Sequence, residues 1–108
     1  MTVLDSIEVW LVSLQASLEL AGVEVRAQRA PADRPVPSWA INLRRGVREA
    51  DLVVWESGLG ELGLVSGAGS AALMEHHSDL QKTDRLGKVL ARMLEAVAFV
   101  ESSKQSQG

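Results

Sequence analysis

The chain has no cysteine, no tyrosine, one phenylalanine and two histidines among its 108 residues. Without cysteine there is neither a disulfide scaffold nor the commonest kind of zinc site, so a reducing cytoplasm is the default compartment. The two histidines, His76 and His77, are adjacent, which narrows the choice of general base to one place in the chain. Ser57, Ser66, Ser70 and Ser78 are the nearest nucleophile candidates, and none sits in a G-x-S-x-G elbow. No apolar run approaches the roughly 18 to 20 residues that cross a bilayer. The first twenty residues are apolar, but they lack a basic leader and carry Asp5, Glu8 and Glu19, so they read as part of the fold rather than as a secretion signal. Lysine and arginine are missing altogether from 49 to 79, where Glu49, Asp51, Glu56, Glu61, Glu75 and Asp79 stand. Residues 23 to 48 show the opposite bias, with six arginines against Glu24 and Asp33, inside a net charge of −3. Such polarity can steer a charged partner to one surface, or it can reflect opposite charges paired across neighbouring strands. An acidic chain with no tyrosine, a single phenylalanine and no recognition motif is a poor binder of nucleic acid.

What is present is an ordered series of patterns. Val3, Ile7, Trp10, Leu14 and Leu18 recur at steps of four and three, the period of an amphipathic helix that ends near Ala21, with Gly22 following as its terminator. Val23, Val25 and Ala27 alternate with Glu24, Arg26 and Gln28, a half-buried strand. Pro31, Pro35 and Pro37 make a semi-rigid loop. Trp39, Ile41 and Leu43 alternate in a second strand over about Ser38 to Arg45, and two further β-like runs, from Asp51 to Val65, are joined by Ser57-Gly58-Leu59-Gly60. After Gly67-Ala68-Gly69, the segment Ser70 to His76 fits a fifth strand or a helix start, with the strand favoured. Ser78 with Gln81 resembles a capping box, and Thr83-Asp84 offers a second helix start. Leu86, Leu90, Met93, Val97 and Val100 then mark a C-terminal amphipathic helix.

A chain of this length has one core and buries roughly 60 to 70% of its unfolded surface. The expected architecture is therefore α+β: a single domain over 1–101, an antiparallel four- or five-stranded meander with N- and C-terminal helices packed on one face, and a polar, disordered tail over 102–108. Val23, Val25, Trp39, Ile41, Leu43, Leu62 and Leu64 should face the helices, and Arg26, Asn42, Arg44, Glu61 and Val65 should face away.

The third strand is apolar on both faces, with Leu52 and Val54 on one and Val53 and Trp55 on the other. Either Trp55, Val53 and Val65 form an apolar patch on the open face, rimmed by charge and suited to a partner, or Trp55 is core and Leu52 and Val54 lie under the proline loop. His76 and His77, with Glu75 and Asp79 nearby, resemble metal ligands, but adjacent strand residues point to opposite faces, and no third ligand stands at a usual spacing. Gly67 to Ala72 matches a loose G-x-G-x-x-A turn, yet no second parallel strand follows for a dinucleotide. Neither a metal nor a cofactor is expected.

The order helix, meander, helix, with Trp55-Glu56-Ser57-Gly58 in the central hairpin and His76 or His77 before the last helix, resembles the TriTu type of small bacterial immunity protein, which accompanies polymorphic toxins. The proline loop, Gly60 and Gly63 depart from that pattern. The resemblance implies a cytoplasmic, non-enzymatic protein that binds and neutralises one cognate toxin. A monomer is expected rather than a dimer, with neither a nucleic acid nor a membrane as partner. Trp55, Glu56, Glu61 and Glu75 are the expected partner contacts, because an acidic aromatic surface suits a basic site. A dimeric partner-binding protein of the secretion-chaperone kind is the alternative.

Overall fold

Each structural element follows from a local sequence feature. In the computed structural model, which describes residues 2–30, 37–67 and 71–99, helix α1 runs over Val3–Leu20. Thr2 caps it: the Thr2 hydroxyl accepts from the Asp5 N–H at 3.1 Å, and the Asp5 carboxylate accepts from the Thr2 N–H at 3.3 Å. This reciprocal pair satisfies two helix-end donors. At the other end Gly22, at φ 87°, turns the chain so that the Val23 N–H reaches the Leu18 carbonyl at 2.9 Å. Val23 and Leu18 are both buried, completing the hydrophobic contact that accompanies this helix stop.

Five antiparallel strands follow in chain order across the sheet: β1 Glu24–Arg29, β2 Ser38–Arg45, β3 Arg48–Trp55, β4 Gly60–Val65 and β5 Leu73–His77. The segment left open between strand and helix is therefore a strand, beginning at Leu73. Gly46-Val47 joins β2 to β3 as a two-residue turn closed by the pair Arg45 and Arg48. The β3–β4 connection is tighter than its composition suggests. The Gly58 N–H bonds the Trp55 carbonyl and the Trp55 N–H bonds the Leu59 carbonyl, both at 2.9 Å, with Gly58 at φ 95°. That is a three-residue loop, Glu56-Ser57-Gly58, whose last residue must adopt the left-handed region that glycine reaches without strain.

Helix α2 spans Thr83–Ala96 with Lys82 at its N-cap position and no side-chain cap bond. Ser78 and Gln81 therefore do not form the capping box their spacing suggested. They belong to the turn that links β5 to α2, where Leu80 is fully buried and its N–H bonds the Gly58 carbonyl at 2.9 Å. The competing force is packing: burying Leu80 against the β3–β4 loop holds the chain out of helix for one more turn. Helix α2 ends with Ala98 at φ 56°, and the Phe99 N–H returns to the Leu94 carbonyl at 2.9 Å. Val100 and the tail over 102–108 lie outside the described residues, as do Pro31, Pro35 and the 68–70 part of the glycine turn.

The register sorts side chains into two faces. Val25, Leu43, Ala50 and Leu64 align in one row, and Ala27, Ile41, Leu52 and Leu62 in the next. This face carries the core. Helix α1 lies over β1 and β2 and helix α2 over β3 and β4, so both helices cover the same side. Leu4, Ile7 and Leu18 of α1 and Leu86, Leu90 and Met93 of α2 join Leu43, Leu52, Val54 and Leu62 in one cluster. Leu52 and Val54 are thus core and Trp55 faces the other way. Among the described residues no polar or charged side chain is buried.

Candidate functional site

Among the described residues, no helix lies on the opposite face of the sheet. Strand alternation and register place Glu24, Arg44, Glu49 and Val65 in one row across it, then Arg26, Asn42, Asp51, Gly63 and Met74, then Gln28, Ala40, Val53, Glu61 and His76. Trp55 lies beyond them, opposite Ser38. Trp55 and Val53 are half-buried and lie outside the core cluster. The expectation that Arg26, Asn42, Arg44, Glu61 and Val65 face away from the helices holds at every position.

Charge is divided across this face as it is along the chain. Its β1–β2 side carries Arg26 and Arg44 with Glu24 at the edge, and its β3–β4 side carries Glu49, Asp51 and Glu61. Glu24, Arg44 and Glu49 are aligned in register, yet among the described residues no arginine pairs with a carboxylate across this face. The negative side is instead organised by Asn42, whose amide donates to Glu49 at 2.7 Å and to Asp51 at 2.5 Å. Two carboxylates held by one neutral amide keep their charge available to something else.

Among the described residues, two depressions bear on this face. One, of about 270 Å³, lies over β1, β2 and β3, lined by Arg26, Gln28, Ala40, Asn42, Asp51 and Val53. It exists because Ala40 is small and its larger neighbours form walls. The other, of about 500 Å³, is bounded by Trp55, Ser57, Leu59, Gly60, Glu61, His76 and His77. Here the β3–β4 loop and the end of β5 rise on either side of the short Gly60. A Cβ at Gly60 would meet the buried Leu80 side chain beneath it, which would have to shift to admit a larger residue.

Three of the four expected contacts fall in or beside this second cleft. Trp55 and Glu61 line it, and Glu56 stands exposed on the adjoining loop. Glu75 does not join them. It points to the helix side of β5, where it pairs with the Arg92 guanidinium of α2 and lies 3.1 Å from His77 Nε2. The Arg92 hydrogen bond, supported by His77 against the opposing effect of burial, holds the Glu75 carboxyl below its ordinary range. The two histidines divide between the faces as adjacent strand residues must: His76 Nδ1 is 3.5 Å from Glu61 on the open side, and His77 faces Glu75. No group of three or more metal-ligating side chains occurs among the described residues. Val65 shares the open face but sits opposite Glu49, six residues along β3 from Trp55 and on the order of 20 Å away. The expected Trp55, Val53, Val65 patch is therefore two separate features.

The sequence reading missed Leu80, which supports the cleft from below, and Arg92, which draws Glu75 away, and it gave Gln81 a capping role in place of its position under Gly58. Leu80 left a trace as a lone leucine between polar residues. Among the described residues, no helix is long and apolar enough to cross a membrane. What the arrangement offers chemically is a broad, uncovered, half-acidic sheet face with one indented aromatic end.

Comparison with known proteins gives one finding. The family model described as "Immunity protein TriTu" matches residues 5–96, which takes in both helices and all five strands. No curated protein and no solved structure matches the chain.

Proposed function

Since the chain belongs to the TriTu family of immunity proteins, we propose that it binds one cognate toxin domain and neutralises it by occlusion, with the open face of the sheet as the binding surface. The observation that carries this reading is the family match over residues 5–96. The uncovered face supports it: Trp55 is half-buried and rimmed by Glu56 and Glu61, the mix of aromatic anchor and polar border found at protein interfaces. The protein acts as a monomeric cytoplasmic inhibitor and not as an enzyme. Its partner is a protein, neither a nucleic acid nor a membrane. Trp55, Glu56 and Glu61 make contact, while Glu75 contributes from behind by fixing β5 to α2.

The test is survival of cells expressing the toxin domain encoded beside this gene, with and without this chain, followed by co-purification of the pair. Rescue with a stoichiometric complex is the expected result. Unchanged killing in the presence of abundant folded protein overturns it. One observation favours the second reading, a dimeric chaperone-like binder: Val9, Val12 and Leu20 of α1 are exposed aliphatic side chains on a helix already buried along its other side. A sedimentation experiment showing a dimer that masks α1 would support that reading and count against monomeric inhibition.

A further inference from the structure

We propose that the cleft between Trp55 and His76 is a receptor for a single arginine side chain of the bound protein. The inference deepens the immunity reading and rests on it for the identity of the bound protein. The cleft itself can be tested without the toxin.

The argument begins with what lines the space. Trp55 provides an aromatic wall, Leu59 an aliphatic one, and Glu61 a carboxylate half exposed to solvent, around a volume of about 500 Å³. An arginine matches these in sequence along its own length. Its methylenes lie on apolar surface, and its planar guanidinium stacks on an indole while donating to a carboxylate. A lysine ammonium offers neither the plane nor the fork. An acidic or aliphatic side chain would leave Glu61 repelled or unpaired.

Charge complementarity points the same way. Among the described residues neither Glu61 nor Glu56 has a lysine or arginine partner, and the only contact of Glu61 is His76 at 3.5 Å. His76 is the more exposed of the two, with 80% of its side chain in solvent, so an incoming guanidinium can displace it without moving backbone. The acidic side chains that are already engaged show the contrast: Asp79 is held by Arg85, and Glu75 by Arg92. The chain neutralises Asp79 and Glu75 with its own arginines and leaves Glu61, like Glu56 on the adjoining loop, open beside the aromatic wall.

The rigidity of the walls completes the case. The Gly58 carbonyl is bonded to the Leu80 N–H, and Gln81 and Leu80 pack directly under Gly58 and Gly60. The cleft is therefore held open by core packing and does not depend on a ligand to form it, which reduces the ordering cost of binding.

The experiment is an NMR titration of the intact chain with N-acetyl-arginine amide and, at matched ionic strength, with its neutral isostere N-acetyl-citrulline amide. The expected result is a saturable shift of the Trp55 indole N–H and the His76 ring. Its Kd should be about 10 to 100 mM, the range set by one cation–aromatic contact and one exposed ion pair. The response to citrulline should be several-fold weaker. Glu61→Gln, on the surface and outside the core, should remove the preference for arginine, while Glu49→Gln, at the far end of the same face, should retain it. Equal responses to the two probes, or an arginine preference that survives Glu61→Gln, overturns the receptor and leaves the immunity reading standing. An arginine preference of the expected kind in a protein that fails to rescue cells from the neighbouring toxin supports the cleft and overturns the immunity reading alone.

Discussion

At the scale of single residues, two backbone positions matter most, and they have opposite chemistry. Gly58 sits at φ 95°, and a Cβ there would run into the Gln81 side chain. Gly58→Ala should destabilise by about 1 to 3 kcal/mol from the left-handed backbone, with the exposed Gln81 side chain free to swing aside, read as a lower urea midpoint at unchanged slope. Ala98 occupies the same region of backbone space, at φ 56°, with a side chain that disfavours it. Ala98→Gly should gain about 0.5 to 1 kcal/mol, because glycine adopts that conformation without the Cβ clash. The first of these positions was legible in the sequence as a turn glycine. The second was not, since nothing about alanine announces a helix stop. Ala98 is left-handed because the Phe99 N–H must reach Leu94 and Phe99 packs against the core.

At the scale of elements, the helices are anchored through their ends as well as their apolar faces. Arg29 of β1 lies 3.2 Å from Glu8 and 3.9 Å from Asp5 on α1, exposed contacts worth little individually. The β2–β3 turn does more for α2. Arg45 donates to the Ala98 carbonyl at 3.0 Å and Arg48 to the Ala96 carbonyl at 3.4 Å, placing two cations at the negative end of a helix that has no basic residue in its own last turn. Glu75 and Arg92 join β5 to the same helix. Because the folded state lowers the Glu75 carboxyl below its ordinary value of 4.5, its contribution is present above that pH and is lost as pH falls through the depressed value. Asp5, lowered by its backbone and side-chain bonds to Thr2, behaves in the same sense around 3.8. Glu75→Gln should flatten the acid side of the stability profile, and melting temperatures measured between about pH 3 and pH 7 test it. A variant whose acid limb matches that of the parent would show that Glu75 carries no such linkage. The periodicities that define α1, β1, β2 and the β3–β4 hairpin were readable because each repeats over several residues. The start of α2 was readable only as two alternatives: the structure takes the one at Thr83-Asp84, and the burial of Leu80 removes the one at Ser78.

For the whole molecule, the proposed binding face is the one the helices leave open, so stability and binding should respond to different substitutions. Leu52→Ala, in the core beneath both helices, should cost about 2 to 5 kcal/mol. Trp55→Ala, next to Val54 in β3 but on the opposite face, should cost about 1 kcal/mol while removing most affinity for the proposed toxin partner. Chemical denaturation and titration calorimetry on the same two variants separate the effects. A Trp55→Ala protein as unstable as Leu52→Ala would place Trp55 in the core and remove it from the binding surface. Association should also slow as salt is added, since the uncompensated Glu49, Asp51 and Glu61 act on an approaching basic surface through a field that salt screens.

The sequence by itself determined the α+β class, the strand order and the two faces, because helix and strand periods are local properties and a meander pairs neighbours in the chain. It also carried the family, through Trp55-Glu56-Ser57-Gly58 and the helix–meander–helix order. Only the tertiary structure decided which face of β3 was buried, since Leu52 and Val54 are as apolar as Val53 and Trp55 and alternation is symmetric between them. What broke that symmetry was register: Leu52 aligns with Ile41 and Leu62 under the helices, so the pair that could join a continuous core did so, and Trp55 was left outside. The same register separated Glu75 from Glu61. An interval of fourteen positions in the chain says nothing about face, whereas β5 pairing sets His76 opposite Glu61 and turns Glu75 to Arg92.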